Sequence, residues 1–251
     1  MPRYGMALLS CSFMHREYHR WWSPRLNKDM QLLQFGHSGH PVLVFPSSMG
    51  SFHEYEDQLM VQTLSDRLDQ GRLMLFCVDS VDAESWYNKA IHPADRVRRH
   101  DAYEQYCLHE VLPLIHQRSS RIDLTVHGCS FGGYHAANFA LRHPDAVTQC
   151  VSLSGAFDNR SFLNGYYDEL AYFHNPVDYV PGNDGAWYHG HYHGDWFMIL
   201  AASNHDICLG GNYHMAEVLG RKHIPHRLDV WDNNMPHDWP LWRLMARTYF
   251  T

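Results

Sequence analysis

The chain alternates between short apolar runs and longer segments with helical spacing, and this alternation constrains its fold more than any other feature of the sequence. Runs rich in β-branched, aliphatic and aromatic residues occur at 41–46, 72–78, 121–126, 148–154, 196–202 and 226–231. Segments in which apolar residues recur at helical spacing lie between them, at 57–70, 95–117, 131–142, 210–222 and 240–249. Strands that alternate with helices form a mostly parallel sheet covered on both faces, so we predict an α/β protein.

The first 40 residues follow a different pattern. The segments REYHRWW and MQLLQFG flank the turn-rich SPRLNKD, which predicts an antiparallel strand pair at the edge of the sheet. No internal repeat, low-complexity tract or linker divides the chain. Because 251 residues suit a single large core, we expect one domain that spans residues 1–251.

Composition and charge narrow the class of protein. Hydrophobic residues make up 45% of the chain, enough for a packed interior, and a net charge of −7 without any basic run disfavours nucleic-acid binding. The chain has no run near the ~20 apolar residues of a membrane helix, and the short apolar stretch near the N-terminus makes a poor signal peptide. Six scattered cysteines without a CxxC pair predict free thiols in a reducing, cytoplasmic setting: Cys11, Cys77, Cys107, Cys129, Cys150 and Cys208.

The strongest chemical signal is a G-x-S-x-G motif at residues 128–132, Gly-Cys-Ser-Phe-Gly, between a predicted strand and a predicted helix. The serine of such a motif sits on a sharp, strained turn where only small neighbours avoid the adjacent strand and helix. This setting is typical of the nucleophile elbow of serine hydrolases. It favours Ser130 as a nucleophile over the alternative, an ordinary residue in a turn.

Partners for this serine follow later strands in the order that the fold class uses, serine, then acid, then histidine. Asp206 follows the predicted strand at 196–202, and His237 follows the one at 226–231. His237 would act as the general base, and Asp206 would hold its imidazole in the correct tautomer. Because all three residues follow strands at their carboxyl ends, we expect them to meet at one edge of an α/β-hydrolase sheet.

Other carboxylates compete with Asp206 for the role of the acid. Asp158 also follows a predicted strand, and this earlier position is an alternative for the acid. Asp232 and Asp238 lie close to His237 in sequence, but we interpret them as a turn residue and a solvated or capping carboxylate.

Three segments, HGCSFGGYHAANFALRHPD, SNHD and MPHDWPLWR, together resemble the putative esterase family, the esterase-D-like branch of the α/β-hydrolases. The resemblance runs from about residue 40 to the C-terminus. Its most specific parts are the segment FPSSMGSFHEYED, the elbow, and His237 followed by Asp238, Trp239 and Trp242. It implies an α/β-hydrolase fold with the triad carried by Ser130, Asp206 and His237.

The resemblance also implies an activity and an oxyanion hole. Its members are mostly carboxylesterases, so we expect cleavage of a small or medium acyl ester through an acyl-enzyme, without a cofactor. An acyltransferase with the same triad is the first alternative, and a non-catalytic binding protein on this scaffold is the second. The backbone N–H of Phe131 would be one oxyanion donor. Ser48 is the best match for the other, with its neighbour Ser47 as an alternative.

Three remaining features admit a functional and a structural interpretation. His189, His191 and His193 could share one face of a strand and bind a metal, but their interleaved glycines favour a histidine-rich loop, so we predict no metal site. Trp86 and Tyr87 could line an acyl or alcohol pocket or form an apolar cluster under a loop. Cys129, beside the candidate nucleophile, is interpreted as a packing residue.

Overall fold

The protein forms an eight-stranded, mostly parallel sheet surrounded by helices. The computed structural model describes residues 14–183, 191, 192 and 194–251. The strands are β1 (Arg16–Ser23), β2 (Lys28–Phe35), β3 (His40–Phe45), β4 (Leu73–Val78), β5 (Thr125–Cys129), β6 (Gln149–Leu153), β7 (Phe197–Ser203) and β8 (His226–Trp231). Their order in the sheet is β1-β2-β4-β3-β5-β6-β7-β8. β2 pairs antiparallel with β1 and β4, and the other pairs are parallel, which confirms the predicted fold class.

Helices occupy most of the connections between strands. They are α1 (Glu54–Asp57), α2 (Met60–Thr63), α3 (Ser65–Asp69), α4 (Pro93–Tyr106), α5 (Leu112–Arg118), α6 (Phe131–Arg142), α7 (Glu169–Phe173), α8 (Pro176–Gly182), α9 (Leu209–Arg221) and α10 (Trp239–Tyr249). A π-helical turn at Cys107–Val111 joins α4 to α5. The predicted segment 57–70 is broken into short helices, since Leu59 adopts a left-handed φ of 62° between α1 and α2.

The predicted strand at 121–126 is wrong at both ends. β5 begins only at Thr125 and continues to Cys129, inside the G-x-S-x-G motif. Arg121 instead bonds to Asp123 two residues later, with Nε 2.8 Å from Oδ1, and Ile122 between them is 91% exposed. The start of β5 coincides with that of its neighbour β6, because Thr125 pairs with Gln149, the first residue of β6. Ser130 follows the carboxyl end of β5 directly.

Apolar side chains cover both faces of the sheet. One cluster includes Phe76, Val126 and Leu200, and the cluster on the other face includes Leu75, Val151 and Ala201. Neighbours in one strand, such as Leu75 and Phe76, therefore point to opposite faces, as strand geometry requires. Within the described ranges, no helix combines the length and the apolar character that a membrane span needs.

Candidate active site

Ser130 occupies a strained turn between β5 and α6. Its φ of 57° and ψ of −120° are unusual for a residue with a side chain, and its N–H donates to Leu153 O at 2.8 Å. A Cβ at Gly128 would lie 2.2 Å from Gly132 O, and a Cβ at Gly132 would lie 2.5 Å from Pro46 O. Both contacts are too short for real atoms. The two glycines of the motif are therefore required by the close approach of α6 to the sheet.

The structure brings the three residues of the predicted triad together. Ser130 Oγ lies 2.9 Å from His237 Nε2, and His237 Nδ1 lies 2.8 Å from Asp206 Oδ1. β5, β7 and β8 all run in the same direction, so the loops that follow them meet at one edge of the sheet. This arrangement can pass a proton from the serine hydroxyl to the imidazole while the carboxylate holds the opposite nitrogen.

Asp206 is held by partners that the sequence pattern did not single out for this role. Its Oδ1 also accepts the Cys208 N–H at 2.7 Å, and its Oδ2 accepts the hydroxyl of Ser154. Trp242 Nε1 lies 2.8 Å from Ser154 Oγ, and an indole nitrogen can only donate. The Ser154 hydroxyl must therefore direct its own proton to Asp206. The side chain of Asp206 is fully buried, so these bonds replace water around its charge.

The same contacts shift the pKa values of the pair in opposite directions. Burial alone would raise the pKa of Asp206, but hydrogen bonds from His237, Ser154 and the Cys208 amide hold it below its usual value. Burial alone would lower the pKa of His237, but Asp206 and the side chain of Cys208 outweigh it and raise this pKa to about 9. The imidazolium that forms when His237 accepts a proton is thus stabilised by its neighbours.

The competing carboxylates are engaged elsewhere. Asp158 is partly exposed and receives hydrogen bonds from the Arg160 side chain, with Nε 2.9 Å from Oδ1. Asp232 accepts from Asn204 Nδ2 at 2.7 Å. Asp238 precedes α10 and accepts the Trp239 N–H at 2.7 Å, which is the capping role expected for it. Of these carboxylates and Asp206, it is Asp206 that the structure places in contact with the His237 imidazole.

Two backbone N–H groups, those of Phe131 and Ser48, are the predicted donors of an oxyanion hole. Phe131 is the first residue of α6, where N–H groups have no acceptor within the helix.

In the loop after β3, the Ser47 N–H donates to Glu54 Oε2 at 2.7 Å and the Met49 N–H donates to Asp82 Oδ2 at 3.1 Å. Ser48 lies between them, and its amide has no such bond in the described part of the chain. Ser47, the alternative donor, is therefore already occupied.

Tyr87 contacts both candidate donor segments. Its hydroxyl donates to Ser48 Oγ at 2.8 Å, and its ring meets the Phe131 ring edge-on at a centroid distance of 5.7 Å. Trp86 is completely buried in an apolar cluster that includes Phe131. A cavity of about 260 Å³ lies beside these rings and is lined by Trp86, Tyr87, Lys89, Arg96, Ser161, Phe162 and Asn164.

Two groups of described residues have the composition of metal ligands. His100, Glu104 and His174 form a buried group, but the Glu104 carboxylate is already paired with Arg142, whose Nε lies 2.7 Å from Oε1. The other group adds Cys208 to Asp206 and His237, which bond to each other.

The remaining sequence candidates for metal binding or reactivity are Cys129 and the three histidines at 189, 191 and 193. His189 and His193 lie outside the described residues, and His191 Nδ1 lies 3.0 Å from Asp145 Oδ1. Cys129 is buried, and burial raises the pKa of its thiol well above the usual value, which fits a packing residue.

Comparison with known proteins identifies a matching sequence family and several similar structures. The sequence model of the family described as "Putative esterase" matches residues 23–243. An S-formylglutathione hydrolase from Staphylococcus aureus is similar in structure, with a TM-score of 0.71 at 17% identity over 95% of this chain and 96% of that one. A ferulic acid esterase gives 0.73 at 15% identity, covering 94% and 96%. An S-formylglutathione hydrolase from Agrobacterium tumefaciens gives 0.72 at 15% identity, covering 96% and 94%. No curated protein sequence matches the chain.

Proposed function

The chain belongs to the putative esterase family, and on this premise we propose that it is a serine carboxylesterase that forms an acyl-enzyme on Ser130. The observation that carries the proposal is the continuous chain of hydrogen bonds from Ser130 through His237 to Asp206, at 2.9 and 2.8 Å. A buried carboxylate, an imidazole and a hydroxyl in this order are the parts that acyl transfer needs. We also propose that residues 1–251 form a single domain. The five described cysteines are unpaired, which supports a reducing compartment for the enzyme.

The proposed reaction has two halves. His237 takes the proton of Ser130 as its oxygen attacks the ester carbonyl, and then delivers that proton to the leaving alcohol. In the second half, His237 deprotonates a water molecule as it attacks the acyl-enzyme. His237 then returns that proton to Ser130 Oγ as the bond between this oxygen and the acyl group breaks and the acid leaves. Asp206 stabilises the imidazolium in both halves, because its charge lies 2.8 Å from Nδ1.

The negative oxygen of each tetrahedral intermediate needs hydrogen-bond donors. We assign this role to the N–H groups of Phe131 and Ser48. The position of Phe131 at the N-terminus of α6 supports its assignment, since helix N-termini favour negative charge. On either side of Ser48, the Ser47 amide already donates to Glu54 and the Met49 amide to Asp82. The Ser48 amide makes no such bond in the described part of the chain, which supports the second assignment.

We propose esters of small or medium size as substrates. The cavity of about 260 Å³ has Tyr87 in its lining, and the Tyr87 ring contacts that of Phe131, so we propose that it receives part of the substrate. Its volume is slightly below that of pockets for drug-sized ligands, which fits a small or medium ester. The names of the similar structures include S-formylglutathione and ferulic acid, so a substrate panel should span short acyl groups and aromatic acids.

The test combines active-site labelling with hydrolysis of chromogenic esters of graded chain length. We expect a fluorophosphonate probe to label the wild type at Ser130, and the Ser130→Ala variant to lose about 10⁴-fold or more in kcat while remaining folded. Retention of most activity in that variant would refute the proposal. Product partition in the presence of added alcohols distinguishes the hydrolase from an acyltransferase, because a transferase would form the new ester in preference to the acid.

A further inference from the structure

A second acid–histidine pair lies buried beside the candidate site. Asp82 Oδ1 is 3.1 Å from His135 Nε2, and the two side chains are only 1% and 2% exposed. Asp82 belongs to the loop after β4, whereas His135 lies on α6, the helix that follows the nucleophile. Neither residue takes part in the proposed proton transfers. Fully buried polar pairs are costly to form. This pair connects the two segments that carry the proposed oxyanion donors.

One end of the pair holds the loop that carries the proposed Ser48 donor. This loop turns sharply, with the Gly50 N–H donating to Ser47 O at 2.9 Å. Met49 lies at the third position of the turn with a φ of 58°, in the left-handed region where glycine is preferred. Its side chain is 53% exposed, so packing does not impose this conformation. Its N–H instead donates to Asp82 Oδ2 at 3.1 Å.

The other end of the pair holds the helix that carries the proposed Phe131 donor. His135 lies one turn after Phe131 on α6, and the two rings meet edge-on at a centroid distance of 4.8 Å. The same imidazole stacks on Phe45, the last residue of β3, at 5.9 Å. A single carboxylate therefore connects the loop after β3 with the helix after β5, through one oxygen to each.

We propose that Asp82 is a positioning residue that fixes the Ser48 and Phe131 amides relative to each other, so that both can meet the developing oxyanion. The proposal rests on the proposed esterase function. A carboxylate suits this role because it accepts through both oxygens, while the Met49 amide can only donate. The two oxygens of Asp82 lie 3.1 Å from the Met49 nitrogen and 3.1 Å from His135 Nε2, so this one side chain restricts both segments.

The experiment compares three substitutions of Asp82 in the full-length protein. Asp82→Ala removes the connection, whereas Asp82→Asn preserves it, because the amide oxygen can accept from Met49 and the amide nitrogen can donate to the His135 ring. We expect Asp82→Ala to lower kcat by about 10- to 100-fold with little change in KM, as for misplaced oxyanion donors. Its affinity for a boronic acid transition-state analogue should fall by the same factor as kcat/KM. Asp82→Asn should remain close to the wild type in both measurements.

Two further variants guard against loss of the fold. Asp82→Ser keeps a polar atom in the buried site but is too short to reach Met49 and His135 together, so it should reproduce the alanine result. Glu110→Ala is the matched control, since Glu110 accepts hydrogen bonds from Trp21 Nε1 and Ser23 Oγ, each at 2.8 Å, next to the edge strand β1. We expect it to lower the melting temperature without changing kcat or the affinity for the boronic acid.

The possible outcomes separate this inference from the proposed function. A wild type that hydrolyses no ester and resists the fluorophosphonate would refute the esterase function itself. An active wild type with folded alanine and serine variants of normal kcat and normal affinity for the boronic acid would overturn the role of Asp82 alone. An asparagine variant as impaired as the alanine variant would also overturn it, because the connection would then be insufficient.

Discussion

Replacing Asp206 with asparagine tests the assignment of the acid and isolates the contribution of its charge. The Cys208 N–H and the His237 Nδ1–H both point at Oδ1, at 2.7 and 2.8 Å, so the amide oxygen of the variant should take that position. The amide nitrogen would then face the Ser154 hydroxyl, which can accept. We therefore expect a folded protein that lacks the carboxylate charge.

The size of the effect follows from the pKa of His237. A rise from 6.5 to about 9 corresponds to about 3 kcal/mol of preferential stabilisation of the imidazolium. Asp206 supplies the larger part of this stabilisation and the side chain of Cys208 the rest. Because the same imidazolium forms in the transition state, loss of the Asp206 charge should lower kcat by about 100-fold. If the amide rotates and selects the wrong tautomer of His237, the loss should reach about 10⁴-fold.

The assay measures kcat for a chromogenic ester together with its pH dependence. Besides the lower rate, the pKa that governs activity should fall in the variant from about 9 towards 6.5, because Asp206, the larger of the two neighbours that raise it, has lost its charge. Asp158→Asn is the control, since Asp158 is paired with Arg160 and should be replaceable without loss of rate. Thermal unfolding of both variants excludes a folding defect. A crippled Asp158→Asn beside a nearly normal Asp206→Asn would refute the assignment.

The remaining predictions concern pH and metals. In the wild type, kcat/KM should rise with pH as His237 loses its proton, with half of the maximum near pH 9, and a profile already flat at pH 7 would contradict this. The interactions that raise the pKa of His237 also stabilise the folded protein, and this contribution is complete below about pH 6.5. Thermal unfolding should show it disappear as the pH rises through about 9. Prolonged dialysis against EDTA should leave the activity unchanged, because a triad mechanism uses no metal; loss of activity that zinc restores would disprove this.

Local patterns in the sequence predicted the features that depend on neighbouring residues. Alternating apolar runs placed the strands β3, β4, β6, β7 and β8 within one or two residues of their observed bounds. The elbow was predictable because the steric demand on Gly128 and Gly132 comes from residues close in sequence and from the sheet directly beneath. The start of β5 was not, because it depends on the neighbouring strand β6, which begins at Gln149 opposite Thr125.

What the sequence alone determined is therefore the class of fold and the three residues offered for the triad, since loops that follow parallel strands at their carboxyl ends lie at one edge of a sheet. Only the tertiary structure decided how these residues are held. Ser154 and Asp206 are 52 residues apart, Trp242 and Ser154 are 88 apart, and Asp82 reaches His135 across 53. Such contacts leave no periodic pattern, because each depends on where separate loops end after the sheet has assembled. The partner of a buried polar group is therefore chosen by packing.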